Sequence, residues 1–92
     1  MTGVLSEANL QTLPTGWVLV VDQKSIRRDY LFKDFAEAFA FMGQVAQLAE
    51  RHGHHPDWFN SYNRVEISLT SHDAGGVTAR DIRLAHAISE LE

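Results

Sequence analysis

Residues 25–52 read SIRRDYLFKDFAEAFAFMGQVAQLAERH, and this stretch decides the fold. From Ser25 to Lys33 the side chains alternate, with Ile26, Arg28, Tyr30 and Phe32 on one side and Arg27, Asp29 and Leu31 on the other. That is the period of a strand. Arg28, on the apolar side, is expected to lay its stem over the core edge and carry its charge out to water. From Phe35 the period becomes helical. Asp34 followed by Glu37 reads as a capped start. Phe35, Phe39, Met42, Ala46 and Ala49 form the main stripe, widened by Ala38 and Val45. The helix is expected to end near Arg51 or His52, because Gly53 suits the position just past a C-terminus and Pro56 prevents resumption. Phe41 stands off the main stripe and is expected at its boundary or at a subunit interface.

Outward from this unit the chain repeats its logic. On the N-terminal side, Trp17 to Val21 is apolar and β-rich, and Asp22-Gln23-Lys24 is a turn. Before that, Ser6 to Leu13 reads as a short helix capped by Ser6 and broken by Pro14-Thr15-Gly16. On the C-terminal side, Trp58 to Tyr62 and Val65 to Thr70 read as a hairpin around Asn63, with Val65, Ile67 and Leu69 facing one way. Gly75-Gly76 marks a turn, Thr78 and Asp81 form a second capping box, and Ile82, Ala85, Ile88 and Leu91 give a final helical stripe. The expected fold is α+β: a two-layer sandwich in which a four-stranded antiparallel sheet carries helices packed on one face, as a single domain over residues 1–92.

Composition bounds the function. The 92 residues are 45% hydrophobic with no Cys, so disulfides, thiol nucleophiles and thiolate-held metals are excluded. A core this small without staples must suffice alone or gain stability by oligomerising. The formal charge of -4 argues against a non-specific grip on nucleic acid. The apolar runs are too short to span a membrane, and the start lacks the basic and apolar regions of a signal peptide, so a cytoplasmic protein is expected.

The chemistry concentrates in Glu50-Arg51-His52-Gly53-His54-His55-Pro56-Asp57-Trp58. Histidine is the side chain whose ordinary pKa places acid and base forms near neutrality. His54 and His55 point in different directions on an extended segment but can address two edges of one small ligand. His72, at the far end of the hairpin, can return to the same pocket, and Trp58 and Phe59 can supply a flat apolar wall. Such a site suits a planar, polar heterocycle. The competing readings are a plain surface loop and a zinc site drawn from His52, His54, His55, His72, Asp57 and Asp73, whose spacing matches no strong zinc pattern. Ser71, His72 and Asp73 are adjacent in sequence and cannot form a cross-element triad. Gly75-Gly76 is followed by no Lys-Ser/Thr pair and is no phosphate loop.

The chain resembles the pterin-4a-carbinolamine dehydratases. The matching features are Phe32-Lys33-Asp34-Phe35, Ala38-Phe39 with Phe41-Met42, Glu50, His54-His55-Pro56 and Trp58-Phe59-Asn60. Tyr62-Asn63, Val65, Ile67, Leu69, His72 and Asp81 complete the pattern, which runs from Gly16 to Ile88. The resemblance implies the same fold, and a lyase that dehydrates 4a-hydroxytetrahydropterin to quinonoid dihydropterin. It implies His54, His55 and His72 as the catalytic set, without a metal or cofactor. Trp58, Phe59 and Glu50 are expected beside the substrate, and Asp81 and Pro56 in supporting roles, Asp81 by anchoring its helix. It also implies a homodimer or homotetramer and a link to aromatic amino acid hydroxylases. A dimeric regulatory module, or service to a molybdopterin-related pathway, is the alternative.

Overall fold

The computed structural model describes residues 13–21 and 24–91. The alternating segments form β1 (Val18–Val20), β2 (Ser25–Leu31), β3 (Asp57–Ser61) and β4 (Arg64–Leu69), and the periodic ones form α1 (Phe35–His52) and α2 (Ala79–Ser89). The helix expected over Ser6 to Leu13 lies, apart from Leu13, outside the described residues, as do Asp22 and Gln23 of the expected turn.

The strands make one antiparallel sheet in the order β1-β2-β4-β3. Its two central strands pair from Ile26↔Leu69 to Leu31↔Arg64. Period-two alternation then puts Ile26, Tyr30, Val65, Ile67 and Leu69 on the buried face, under both helices. Leu84, Ala85 and Ile88 of α2 complete the layer. The register also decides where the site can form. Asp57, the first residue of β3, pairs with Ser68 near the end of β4. The segments entering β3 and leaving β4 therefore meet at one end of the sheet.

The buried face of α1 differs from the expected stripe. Ala38, Phe41, Val45 and Ala49 are buried, whereas Phe35 and Phe39 are 47% and 62% exposed and stack on each other at 5.8 Å between ring centroids. Ala46 is exposed as well. Phe41 is thus a core residue within the chain and not a boundary one. Its ring lies 4.6 Å from Tyr30 and 5.0 Å from Phe32, centroid to centroid, in an aromatic cluster over the end of β2. The physical reason is fit. Alanines let the helix backbone come close to the sheet, and one large ring then fills the space left at its end. Arg28 behaves as expected, half-buried with its guanidinium 4.5 Å from the Tyr30 ring centre and donating to the Thr15 carbonyl.

Candidate active site

Two helix ends build the site. At the C-terminus of α1, Gly53 adopts the left-handed conformation (φ 61°, ψ 31°) that a Cβ would disfavour, and its N–H donates to the Ala49 and Glu50 carbonyls. The chain reverses there, and the His54 N–H donates to the Ala49 carbonyl at 3.1 Å. That delivers His54 to the N-terminus of α2. Here the capping box holds Thr78 and Asp81 together, with the Thr78 N–H donating to Asp81 Oδ2 at 2.8 Å.

Asp81 is fully buried, yet its carboxylate is well supplied with donors. Oδ2 also accepts from the Ser71 hydroxyl at 2.9 Å, and Oδ1 lies 2.5 Å from His54 Nε2. A buried carboxylate survives only with such partners. A carboxylate accepts and does not donate, so Nε2 carries a hydrogen and Nδ1 is left as the ring's second proton site. His55 and His72 repeat the pairing in the open. His55 Nε2 is 2.6 Å from Glu50 Oε2, and His72 Nε2 makes a longer contact, 3.3 Å, with Asp57 Oδ2. The side chains are 10% (His54), 63% (His55) and 80% (His72) exposed.

The three imidazoles share one open groove of about 340 Å³, lined by Gly53, His54, His55, Thr70, His72 and Asp73. That size falls at the lower end of small-molecule sites, about 300–1,000 Å³. The Asp73 carboxyl is held below the usual carboxylate range by its hydrogen bond from Arg80, 2.6 Å long. Among the described residues no group of three His, Asp or Glu side chains is placed to hold a metal ion.

The sequence profile of the pterin 4 alpha carbinolamine dehydratases matches residues 3–91. The chain belongs to this family. It is 55% identical over 84 residues to a Rhodopseudomonas palustris protein assigned as a pterin-4-alpha-carbinolamine dehydratase, covering 91% of this chain and 82% of that one. A Nitrobacter winogradskyi protein of the same assignment is 52% identical over 82 residues, 89% of this chain and 80% of the other. The crystal structure of a transcriptional coactivator/pterin dehydratase from Brucella melitensis superposes with a TM-score of 0.87 at 43% identity, covering 95% and 96% of the two chains.

As a member of the dehydratase family, the chain brings together most of the residues its sequence singled out, in three histidine–carboxylate pairs. His72 does return to His54 and His55 across the hairpin. Asp81 does anchor its helix, and it also grips His54, a second role that its position in a capping box does not announce. Glu50 touches His55 but does not line the groove, and half-buried Pro56 leads from the histidine pair into β3. Trp58 and Phe59 are placed elsewhere. They border a separate groove of about 230 Å³ with Arg27, Asp57, Glu66, Ile67 and Ser68. Consecutive strand residues face opposite ways, and Trp58 pairs with core-facing Ile67 while Phe59 pairs with Glu66. The two grooves adjoin where Asp57, in one, meets His72, in the other. The buried hydroxyls of Ser71 and Thr78 stand behind Asp81. The sequence marks Thr78 only as a helix cap and offers Ser71 only in a triad that adjacency rules out.

Proposed function

We propose that this groove is where the chain dehydrates pterin-4a-carbinolamine, the reaction of its family, during pterin recycling. The observation that carries the reading is the convergence of His54, His55 and His72 on one groove, each with a carboxylate against its Nε2. With Nε2 held, each ring is left with Nδ1 to take up or release a proton.

Dehydration breaks the bond between C4a and its hydroxyl oxygen and makes a double bond between C4a and N5. The leaving oxygen needs a proton to depart as water, and N5 must give one up. In this assignment His54 and His72 serve the departing hydroxyl, and His55 takes the proton from N5. One imidazole ends a proton short and another a proton long, and exchange with solvent at the exposed rings of His55 and His72 restores both. No electron is gained or lost, so the step calls for no redox partner, and the proposed mechanism uses no metal. The reaction belongs after a hydroxylation that leaves a 4a-hydroxylated pterin, as aromatic amino acid hydroxylation does, in the cytoplasm.

Self-association, as a dimer or tetramer, is part of the same proposal. The stacked Phe35 and Phe39 on the outer side of α1, and the outer edges of β1 and β3, which pair with no further strand among the described residues, favour it. Among the described residues no helix is long and apolar enough to cross a membrane.

Turnover of a 4a-hydroxytetrahydropterin before and after treatment with a strong chelator tests the mechanism. The expected result is a rate well above the uncatalysed one that the chelator leaves unchanged. A rate lost on chelation and restored by zinc contradicts the metal-free assignment. Sedimentation of the same sample at micromolar concentration is expected to give more than one chain per particle, and a persistent monomer contradicts self-association.

A further inference from the structure

We propose that Ser71 is a positioning residue for this reaction: its hydroxyl orients Asp81 and, through it, fixes the tautomer of His54. The proposal rests on the groove's being the dehydration site. Ser71 is 1% exposed and touches no groove space itself. Its Oγ lies 2.9 Å from Asp81 Oδ2 and 2.8 Å from Thr78 Oγ1. A hydroxyl has one hydrogen and a carboxylate has none to give, so the Ser71 hydrogen goes to Asp81 and the Thr78 hydroxyl donates to Ser71. Thr78 Oγ1 in turn accepts from the Arg80 N–H at 3.3 Å. The hydrogens therefore run one way, from Arg80 N–H through Thr78 and Ser71 to Asp81 Oδ2. Among the described residues, Oδ1 is left for His54 Nε2.

The residue has a second hold on the site through its backbone. Its N–H donates to the Gly76 carbonyl at 2.9 Å, and its carbonyl accepts from the Ala74 and Gly75 N–H groups at 3.0 and 2.9 Å. These bonds close the turn that carries His72. One residue thus holds the turn with its backbone and His54's partner with its side chain. Replacing Ser71 by Ala leaves the first function and removes the second. Asp81 Oδ2 then keeps the Thr78 N–H but loses its hydroxyl donor, and the Thr78 hydroxyl loses the acceptor that directed it.

The test combines long-range nitrogen–proton correlation spectra of the histidine rings with stopped-flow kinetics, on the full chain as wild type, S71A and S71T. The wild type is expected to show His54 as a single Nε2–H tautomer. In S71A we expect mixed tautomers at His54 and unmoved His72 resonances, with kcat lower by roughly tenfold or more and KM changed far less, the scale seen when an orienting partner is lost. S71T keeps the hydroxyl and is expected to restore the single tautomer and most of kcat. Wild-type tautomer and kcat in S71A overturn the proposal, as does a variant in which His54 and His72 are disturbed alike. If S71A does not fold, S71C, which keeps the volume and weakens the donor, is read by the same criteria. If the wild type has no dehydratase activity the functional reading falls, and the tautomer comparison still decides whether Ser71 orients His54.

Discussion

His54 and His55 are neighbours in sequence, yet the fold treats them as different kinds of group. His54 is buried against a fully buried carboxylate that receives three hydrogen bonds from three different residues. His55, like His72, stands in solvent beside an exposed carboxylate. A buried ring in a satisfied network has its orientation set before any ligand arrives, because each alternative leaves a polar atom unpaired. An exposed pair of this kind adds little to stability and leaves the ring free to adjust. The site thus joins one imidazole whose geometry is folded in to two that a substrate can still draw into place.

The sharpest break in that contrast comes from His54→Gln. It removes a proton carrier, whose contribution to rate is commonly about 10²–10⁴-fold. It also leaves Asp81 with a weaker partner in the core, at a cost of about 1–3 kcal/mol in stability. Activity and melting temperature should fall together. His72→Gln and His55→Gln come next, with rate losses of about 10²-fold or more. Because both rings are exposed, urea titrations should place their stability within about 0.5 kcal/mol of wild type. A destabilised His72→Gln, or an unaffected His54→Gln melt, erases the distinction. Glu50→Gln should be milder. It keeps a hydrogen-bond acceptor for His55 while removing the charge, and a loss of only a few-fold in kcat is expected by steady-state assay, with no change in melting temperature.

The smallest effect is expected at Asp73, on the groove wall. Its folded carboxyl titrates below the ordinary range of about 3.9 because Arg80 donates to it. A lowered carboxyl contributes stability that is fully present above the unfolded value and is lost as pH falls through the folded one. The wild-type advantage over Asp73→Asn should therefore be slight at neutral pH and vanish in strong acid. Denaturant melts across that range check the sign, and an advantage that grows as pH falls contradicts it.

The same contrast explains what the sequence made legible. Strand alternation in Ile26–Tyr30 and Val65–Leu69 was unambiguous because one face is buried and the other is wet. The histidines were readable because few other side chains do that chemistry. The core face of α1 was not, because Phe35, Phe39, Phe41 and the alanines make the helix apolar most of the way round, and ring size pointed to the wrong side. Packing distance decided the matter, and sequence period does not carry it. Trp58 and Phe59 lie close to the histidines in sequence, whereas β3 carries them along the sheet to border a separate groove. Ser71 and the second role of Asp81 escaped for a different reason. They depend on an approach between the ends of α1 and α2 that only the folded chain creates.

Most direct of all is the stopped-flow decay of a 4a-hydroxytetrahydropterin with wild type and with His72→Gln, each first shown to melt at the same temperature. The account predicts a wild-type rate far above the uncatalysed decay and a His72→Gln rate lower than wild type by about 10²-fold or more. A wild-type rate equal to the uncatalysed one, or a variant as fast as the wild type, contradicts it.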